Sequence, residues 1–375
     1  MKRYLYESIR HDLAKKMVLL TGPRQVGKTY LAKELSATFK KPAYLNFDSL
    51  EDARIIHAHS WPLDADLLVF DEIHKMKSWK RFLKGVYDTR LAHQAIMVTG
   101  SSRMDTFRQS GESLAGRYYH VRLHPLSVKE LQGTVAPFEA VNLLNRLGGF
   151  PEPFLSGSEE EAARWRRQYY TDLIREDILE FSRLHEVRAM RLLVDLLRTR
   201  VGSPLSCASI AGDLQIAPNT VKKYIEILES LHIIFLIRPF HANVARAVLK
   251  EPKLYFYDTG FLPDDEGVRF ENTCAVCLLK HVQFLQDVKG EPVALHYMRT
   301  KDRREVDFAI SRSGKLVQWV DAKLSDSSVS PALKYFVNKR PDVSAVQLVH
   351  NMRQEQNLNG VSLVPAGLWL AGLSA

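Results

Sequence analysis

Short, uninterrupted apolar runs characterise the first 155 residues of the chain. Met17 to Leu20, Leu67 to Phe70 and Ala95 to Thr99 contain no charged residue, which is typical of strands buried on both faces of a parallel sheet. Tyr30 to Leu35 predicts a helix after the first run, and Pro42 to Asp48 supplies another strand-like stretch. This alternation predicts an α/β domain with a parallel sheet.

The middle of the chain, residues 156–250, changes to a helical period. From Ala162 to Arg200 apolar residues recur at spacings of three and four, with no proline or glycine between them, which predicts long helices. Within this stretch Arg164, Arg166 and Arg167 form a basic cluster. Such a cluster either contacts phosphates or lies on a solvated helix face.

A helix-turn-helix pattern follows the long helices. Leu205 to Leu214 and a second helix opened by Pro218 flank a short turn, and the runs HIIFLIRPF and KLYFYD stand where the two strands of a wing are expected. On DNA, the second helix would present the polar residues Asn219, Thr220, Lys222 and Lys223. Its carboxylates, Glu226 and Glu229, oppose such a contact, so DNA binding and structural packing both stay open.

Length, charge and cysteine content add to this picture. A length of 375 residues predicts two or three domains, and a net charge of +9 favours polyanionic partners, nucleic acid first. No run approaches the roughly 20 apolar residues that span a bilayer, and no signal peptide is recognisable, so we expect a cytoplasmic protein without membrane contact. Three cysteines give no disulfide framework. We expect Cys274 and Cys277 to be buried small residues rather than a zinc site.

The octapeptide GPRQVGKT, from Gly22 to Thr29, carries the most specific chemical signal. It fits G-x-x-x-x-G-K-[ST] and stands between a predicted strand and a predicted helix. In this setting Lys28 reaches the β- and γ-phosphates of a nucleotide and Thr29 gives an oxygen to Mg²⁺, while Gly22 and Gly27 sit where a side chain would obstruct a phosphate. The predicted nucleotide-binding residues are Gly22, Pro23, Arg24, Gln25, Val26, Gly27, Lys28, Thr29 and Tyr30. An ordinary tight turn is the alternative.

Two carboxylates end the next buried run. Asp71 and Glu72 follow Leu67 to Phe70 directly, and open α/β sheets bind ligands at the carboxyl ends of their strands. Asp71 is predicted to act on Mg²⁺ through its water shell. Glu72 is predicted to orient or deprotonate the water that attacks the γ-phosphate. A solvated strand end is the alternative.

Two further residues are candidates for the same site. The run Ala95 to Thr99 leads into Gly100 and Ser101. In a sheet ordered as in phosphate-loop NTPases the Ser101 hydroxyl would sense the γ-phosphate or hold the attacking water; simple turn chemistry is the alternative. Arg117 ends a polar loop and is a candidate arginine finger, in cis or from a neighbouring subunit, that would stabilise the charge on the transferred phosphoryl group. Pairing of Arg117 with a surface carboxylate is the ordinary alternative.

Taken together, the motifs resemble those of a known family. GPRQVGKT, LLVFDEIHK, VTGSS, SLAGR, LHPLSVKEL and GGFPEP, continued by KEPKLYFYDTGF, FEN and REVDF, are similar to the successive motifs of bacterial and archaeal AAA+-type ATPases whose C-terminal half is a domain of unknown function. The likeness covers nearly the whole chain. It implies an ATP-binding AAA+ core with Ser101 as sensor and Arg117 as finger, and a finger acting in trans implies a homo-oligomer.

The last part, residues 251–375, carries a second group of acids. The runs REVDFAIS and LVQWVDAKLS are joined by a Ser-Gly turn and predict a hairpin. Strand pairing would bring Asp307 together with Asp321 and Lys323, and Glu271 would approach from a helix. Two or three carboxylates and a lysine are what a Mg²⁺-dependent phosphodiesterase site requires.

This second group resembles the PD-(D/E)xK nuclease fold, with Asp307, Asp321 and Lys323 at the signature positions. Asp321 stands where many relatives carry glutamate, and Val306 rather than proline precedes Asp307. The resemblance implies a restriction-endonuclease-like α/β domain. Surface charges on a strand pair, or a nuclease fold kept for binding alone, are the alternatives.

These expectations combine into three parts: an AAA+-like ATPase domain over residues 1–155, a helical and winged-helix region over 156–250, and a nuclease-like domain over 251–375. ATP and Mg²⁺ are the expected cofactors. The main hypothesis is an ATPase that couples its nucleotide state to a DNA-related C-terminal module. The alternatives are a Mg²⁺-dependent DNA nuclease regulated by ATP and a nucleotide-gated module that binds a protein partner.

Overall fold

The computed structural model describes residues 2–100, 114–179, 184–241, 250–325 and 328–375. The chain divides into two compact units, Met1–His124 and Pro125–Ala375. Each unit contains a sheet of its own.

The first unit is built on a parallel sheet. Its described strands are β1 (Met17–Thr21), β2 (Pro42–Asn46), β3 (Leu67–Asp71), β4 (Ala95–Thr99) and β5 (Tyr118–Arg122). Its described helices are α1 (Tyr6–Leu13), α2 (Lys28–Ser36), α3 (Leu50–Ala58) and α4 (Trp79–Thr89). The strands lie in the order β2-β3-β4-β1-β5 with parallel pairing throughout. The predicted parallel sheet is therefore confirmed, and β4 lies beside the strand that ends in Asp71.

Burial on both faces explains the apolar runs of this sheet. Every residue of β1 and β3 is buried, because helices cover both sides of a parallel sheet. Leu19, Phe70 and Val98 belong to one core cluster, and the rings of Phe70 and Phe82 meet edge to face with centroids 5.4 Å apart. This packing fixes the strand ends at which the candidate site lies.

The second unit combines helices with a mixed sheet. Its described helices are α5 (Pro137–Leu147), α6 (Pro151–Ser156), α7 (Glu159–Leu179), α8 (Leu184–Arg198), α9 (Cys207–Leu214), α10 (Pro218–Ser230), α11 (Glu266–Lys289), α12 (Pro331–Lys339) and α13 (Ala366–Ala371). Its described strands are β6 (Ile234–Pro239), β7 (Lys253–Phe256), β8 (Val293–Arg299), β9 (Glu305–Arg312), β10 (Lys315–Lys323), β11 (Ser344–Val349), β12 (Gln356–Leu358) and β13 (Val361–Pro365). These strands are ordered β12-β13-β11-β10-β9-β8-β6-β7. Within the described ranges, no helix has both the length and the apolar character needed to cross a membrane.

The predicted hairpin between β9 and β10 is confirmed. Its strands are antiparallel, with Lys315 opposite Arg312. Ser313 has a φ of 51° and Gly314 a φ of 75°, and two consecutive left-handed residues are what a type I′ hairpin turn requires. The hairpin places Asp307 on the strand next to the one that ends at Lys323.

Residues 205–230 form two helices around a tight turn, as predicted. Helix α9 ends at Leu214, Gln215 follows with a left-handed φ of 54°, and α10 opens with Pro218. The strands expected to form a wing have a different setting. β6 and β7 pair antiparallel, but β6 also pairs in parallel with β8, so both strands belong to the large sheet. Because an isolated two-stranded hairpin is marginally stable, this extra pairing stabilises them.

The second unit begins earlier than the polar linker after residue 155 suggests. Helix α5 is tied to α11 by the hydroxyl of Thr273, which donates a hydrogen bond of 2.7 Å to Oδ1 of Asn145. Residues 125–155 therefore pack with the C-terminal part of the chain. The regions 156–250 and 251–375 lie in the same unit, because strands from both form one sheet.

The two neighbouring cysteines lie inside α11. Cys274 and Cys277 are buried free thiols, which confirms that they serve as small apolar residues.

Candidate functional site

Glycine geometry shapes the loop between β1 and α2. Gly22 has a φ of 144° and Gly27 a φ of 98°, conformations that residues with a side chain rarely adopt. A Cβ on Gly22 would lie 2.2 Å from the carbonyl oxygen of Leu123. A side chain at Gly22 would thus collide with the backbone that follows β5, in addition to obstructing a phosphate in the loop.

Lys28 is the first residue of α2 and lies inside this loop. Its ammonium donates hydrogen bonds to the carbonyl oxygens of Gly22, at 3.0 Å, and Pro23, at 2.7 Å, and its side chain is buried. The first turn of an α-helix directs N–H groups that have no intrahelical acceptor toward the solvent or a ligand. Lys28 and the start of α2 therefore concentrate positive charge at the loop, as a phosphate site requires.

Three hydroxyl groups converge on the buried carboxylate of Asp71. Thr29 donates to Oδ2 over 2.9 Å, Tyr44 donates to the same oxygen, and Thr99 donates to Oδ1. The predicted pair of Thr29 and Asp71 is thus in contact. A hydroxyl and a carboxylate are oxygen ligands of the kind that Mg²⁺ prefers, so these two residues fit the metal that accompanies nucleotides in phosphate-loop proteins.

Tyr44 and Thr99 were not predicted as part of this site. Tyr44 lies on β2 and Thr99 is the last residue of β4, the two strands that flank β3. A hydroxyl at the carboxyl end of a strand next to β3 is the sequence signal that could have found Thr99, whereas Tyr44 lies in the middle of β2 and no sequence signal indicates it. Burial and the neighbouring Asp71 raise the pKa of Tyr44, so its hydroxyl stays a hydrogen-bond donor.

Glu72 lies at a sharp turn directly after β3. Its φ of 56° is left-handed, and its N–H donates to the carbonyl of Thr99 over 3.1 Å. Burial raises the pKa of Glu72, while the charge of Lys28 opposes that shift. A carboxylate with a raised pKa in a left-handed, strained conformation is typical of a catalytic base.

The remaining predicted loop residues differ in exposure. Val26 is fully buried, Gln25 is left-handed with a φ of 57°, and Pro23 and Arg24 complete the loop. Tyr30 is 59 % exposed on α2. Exposure places Tyr30 at the rim of the site rather than in its interior.

Arg3 is a supporting residue that sequence reasoning missed. It is buried, and its guanidinium donates to the carbonyl of Val26 over 2.6 Å and to that of His124. An arginine near the start of the chain carries no motif, so no sequence signal indicates this contact. The two hydrogen bonds connect the phosphate loop to the end of the first unit.

The two other predicted catalytic residues have different outcomes. Ser101 lies outside the described residues. Arg117 forms a two-pronged ion pair with Asp88, at 2.8 Å and 3.0 Å. Its carbonyl accepts from the N–H of Met17, the first residue of β1. Arg117 therefore lies at the edge of the sheet opposite the phosphate loop, which follows Thr21 at the other end of β1.

In the second unit the predicted acids also converge. The ammonium of Lys323 lies 3.0 Å from Oδ2 of Asp321 and 3.7 Å from Oδ2 of Asp307. The N–H of Ala322 donates to Asp307 over 3.1 Å. Glu271 reaches this group from α11, but through a residue that was not predicted.

That residue is Lys253, the first residue of β7. Its side chain is 1 % exposed, and its Nζ lies 2.7 Å from Glu305, 3.2 Å from Asp307 and 3.4 Å from Glu271. The hydroxyl of Tyr255 donates to Glu271 over 2.7 Å. We refer to Lys253, Tyr255, Glu271, Glu305, Asp307, Asp321 and Lys323 as the carboxylate cluster.

Charge repulsion and burial shift the acids of this cluster. Burial and the nearby Asp307 raise the pKa of Glu271 to about 7 and the pKa of Asp321 to about 6. Burial raises the pKa of Asp307, but the positive charges of Lys253 and Lys323 lower it more, so the net shift of its pKa is downward. Burial alone would lower the pKa of Lys253, yet the surrounding carboxylates raise it.

The basic cluster on α7 separates into two kinds of residue. Arg166 is buried and pairs with the buried Asp258 over 2.8 Å, while Arg164 and Arg167 are exposed. A Cβ on Gly260 would lie 1.9 Å from the Arg166 guanidinium, so a side chain at this position would displace that guanidinium. The sequence predicts either a phosphate contact or a solvated helix face for Arg166. The structure instead places Arg166 in a buried ion pair with Asp258.

The second helix of the helix-turn-helix pair presents most of its predicted polar residues to solvent. Asn219, Lys222 and Lys223 are exposed on α10 and Thr220 is partly buried. Burial raises the pKa of Glu229, one of the two opposing acids, against the influence of Arg238.

The parallel sheet, its glycine loop and the Lys28, Thr29 and Asp71 geometry define a phosphate-loop nucleotide-binding domain. Residues 14–132 match the model of the AAA domain family, so the first unit is similar to AAA domains. Two domains of unknown function match the rest: residues 140–267 (DUF8612) and residues 266–369 (DUF4143).

Relatives extend over most of the chain. An uncharacterized protein of Mycobacterium tuberculosis is 26 % identical over 329 residues, which cover 85 % of this chain and 73 % of its own. An uncharacterized protein of Methanocaldococcus jannaschii is 26 % identical over 341 residues, covering 75 % of this chain and 71 % of its own. A solved structure of a Thermotoga maritima RuvB variant aligns with 62 % of this chain and 85 % of its own at 17 % identity. Its TM-score of 0.26 carries no weight for fold or function.

Proposed function

We propose that the first unit binds ATP with Mg²⁺ and hydrolyses it. The observation that carries this proposal is the contact between Thr29 and Asp71 at the carboxyl end of β3, next to a loop that encloses the ammonium of Lys28. The ammonium of Lys28 and the N-terminus of α2 present positive charge to the same space. Burying two positive groups together is unfavourable unless an anion binds there, so an ordinary turn without a ligand does not explain this arrangement.

Different residues of the first unit serve nucleotide binding and the hydrolysis step. The loop N–H groups and Lys28, which exchanges carbonyl oxygens for phosphate oxygens, bind the triphosphate. Thr29 and Asp71 would hold Mg²⁺, which when bound neutralises charge on the β- and γ-phosphates. Glu72 accepts the proton of the attacking water, and Tyr44 and Thr99 keep Asp71 oriented.

Two variants test this assignment. Lys28→Ala should weaken ATP binding by about 100-fold and abolish turnover, since a buried charge contact to phosphate is lost. Glu72→Gln should bind ATP as the wild type does and hydrolyse it at least about 100-fold more slowly, as expected for loss of a general base. Calorimetry with Mg²⁺-ATP and a phosphate-release assay supply the measurements, with Lys40→Ala on the exposed surface as control. Unchanged binding and turnover in Lys28→Ala would refute the proposal.

We further propose that the nucleotide state of the first unit alters a contact of the second unit with DNA. The net charge of +9 and the exposed Asn219, Lys222 and Lys223 of α10 support this; Glu226 weighs against it. Gel-shift titrations at several salt concentrations give the slope of the logarithm of the binding constant against the logarithm of the salt concentration. The magnitude of this slope should be smaller by about 2 in the Lys222→Ala/Lys223→Ala variant. Salt-independent retention, or no retention with or without ATP, would favour a protein partner instead.

A second candidate is Mg²⁺-dependent cleavage of DNA by the second unit. The approach of Asp307, Asp321 and Lys323 favours it, and the position of Lys253 opposes it. The test is to incubate supercoiled plasmid with the wild type and with Asp307→Ala in the presence of Mg²⁺ or Mn²⁺. Nicking by the wild type that disappears in the variant would establish a nuclease.

A further inference from the structure

We infer that the ammonium of Lys253 takes the place of a divalent cation in the carboxylate cluster, so that the second unit holds these acids together without metal. The resemblance to a nuclease fold implies a metal here. The residues present do not fit one, and three observations lead to that conclusion.

The first observation is the position of the Lys253 ammonium. It lies within 3.4 Å of Glu271, Glu305 and Asp307. Glu305 and Asp307 are two residues apart on β9, so their side chains lie on the same face of the strand, and Glu271 comes from α11. A buried ammonium needs paired counter-charges, and here it draws together the acids that would otherwise coordinate a metal.

The second observation is that protein groups already contact the carboxylates of Asp307 and Glu271, while Oδ2 of Asp321, which accepts no hydrogen bond from the described residues, lies 3.0 Å from the ammonium of Lys323. Asp307 accepts from the N–H of Ala322 and faces Lys323, which also contacts Asp321. Tyr255 donates to Glu271. Across the described ranges, no set of three or more His, Cys, Asp or Glu side chains is arranged to hold a metal ion. Mg²⁺ requires a nearly ideal octahedron of oxygens, and with the ammonium of Lys253 in place this cluster does not offer one.

The third observation is the lack of room around Glu271. Gly202 has a φ of 73° and lies against its carboxylate, so that a Cβ there would be 2.7 Å from Oε1. The backbone of Gly202 therefore lies next to this carboxylate and takes space that the water molecules of a Mg²⁺ shell would need on that side. Gly202 and Lys253 restrict the site from two sides.

The wild-type protein provides the first test. Full-length chain without nucleotide is titrated with MnCl₂, and binding is followed by the electron paramagnetic resonance signal of free Mn²⁺. We expect the titration curves of the wild type and of Asp307→Asn to coincide, with no cleavage of plasmid by either protein. Binding of Mn²⁺ by the wild type that Asp307→Asn abolishes would overturn the inference.

Removal of the lysine provides the second test. Lys253→Met should gain a Mn²⁺ site that the wild type lacks, because Glu271, Glu305 and Asp307 lose their internal cation. Lys323→Met, which keeps Lys253, is the control and should show no gain. Since Lys253→Met leaves buried acids unpaired, Lys253→Met/Glu305→Gln serves as a variant with less repulsion. If either variant folds and gains no metal, the inference fails; if neither folds, the wild-type comparison decides alone.

Discussion

The hydroxyl of Tyr44 donates to the same carboxylate oxygen of Asp71 that Thr29 contacts. A side chain from β2, outside every recognised motif, therefore shares in orienting the acid assigned to Mg²⁺. Loss of a side chain that hydrogen-bonds a metal-associated carboxylate typically costs about 10- to 100-fold in metal affinity or activity.

Tyr44→Phe should raise the Mg²⁺ concentration needed for half-maximal ATP hydrolysis by about tenfold, because Asp71 loses one of its donors. The ring and its packing are kept, so thermal stability should change little. Titration of ATPase activity with MgCl₂ measures the effect, with Tyr118→Phe on β5 as a ring-preserving control. An equal Mg²⁺ requirement in Tyr44→Phe and the control would exclude this role.

Arg3→Ala should weaken ATP binding and lower the free energy of unfolding by about 1.5–3 kcal/mol, the usual range for hydrogen bonds to a charged group. Its guanidinium contacts the carbonyl of Val26 within the phosphate loop. Arg3→Lys should recover only part of the loss, since an ammonium cannot reproduce the fork. Urea denaturation and ATP calorimetry supply both readouts, and Arg10→Ala, on the exposed face of α1, should match the wild type.

If Arg117 serves as a finger, it acts from a neighbouring copy. It lies at the amino end of β5 while the phosphate loop follows the carboxyl end of β1, and a strand of this length separates them by roughly 16 Å. Arg117→Ala and Lys28→Ala should each be inactive alone and should regain part of their ATPase activity when mixed. Asp88→Ala, which removes the ion-pair partner of Arg117, should keep most activity. A mixture as inactive as its components would restrict Arg117 to its ion pair.

The pair of Arg166 and Asp258 should be among the most costly to break. Replacing one member, as in Arg166→Met or Asp258→Asn, leaves a buried charge or dipole unpaired and should cost about 3–5 kcal/mol of unfolding free energy. The double variant should cost less than the sum of the two. Denaturant titration measures all three, and Arg167→Ala should be neutral. Additive losses would show that the two side chains act independently.

Glu271 should make stability fall as pH rises from about 4.5 to about 7. Its pKa is raised from 4.5 to about 7, so between these values the folded chain keeps a proton that the unfolded chain has released. The free energy of unfolding then decreases with pH by up to about 3 kcal/mol over that window. The groups facing Glu271 are Lys253 and Tyr255 from β7, Asp307 from β9 and Lys323 from β10.

Glu271→Gln should flatten this part of the pH profile, because the amide resembles the protonated acid. Urea titrations at pH 5, 6, 7 and 8 measure the slope, and Glu266→Gln, exposed on the same helix, should retain the wild-type profile. A slope unchanged by Glu271→Gln would assign the pH dependence to other groups.

The first unit was predictable because its signals are local. An apolar run buried on two faces, a glycine loop and a carboxylate at a strand end each occupy a few consecutive residues. Thr29 and Asp71 are 42 positions apart, yet the standard path of strand, loop and helix brings them together. Ser101 lies outside the described residues, and its role stays a prediction.

The supporting contacts were not predictable, because they join residues without any motif. Lys253 meets Asp307 over 54 positions and Arg3 meets His124 over 121; no period or spacing in the sequence indicates either contact. The pattern of β6 and β7 predicts two paired strands correctly, but the pairing of β6 with β8 depends on a strand more than fifty residues later. Strand partners of this kind are selected by the tertiary structure.

The β6 and β7 pair has a mechanical consequence. Helix α10 leads almost directly into β6, β6 pairs with β7, and β7 begins at Lys253. Ile237 of β6 lies opposite Lys253, so a movement of α10 relative to the carboxylate cluster would have to bend or break this strand pairing.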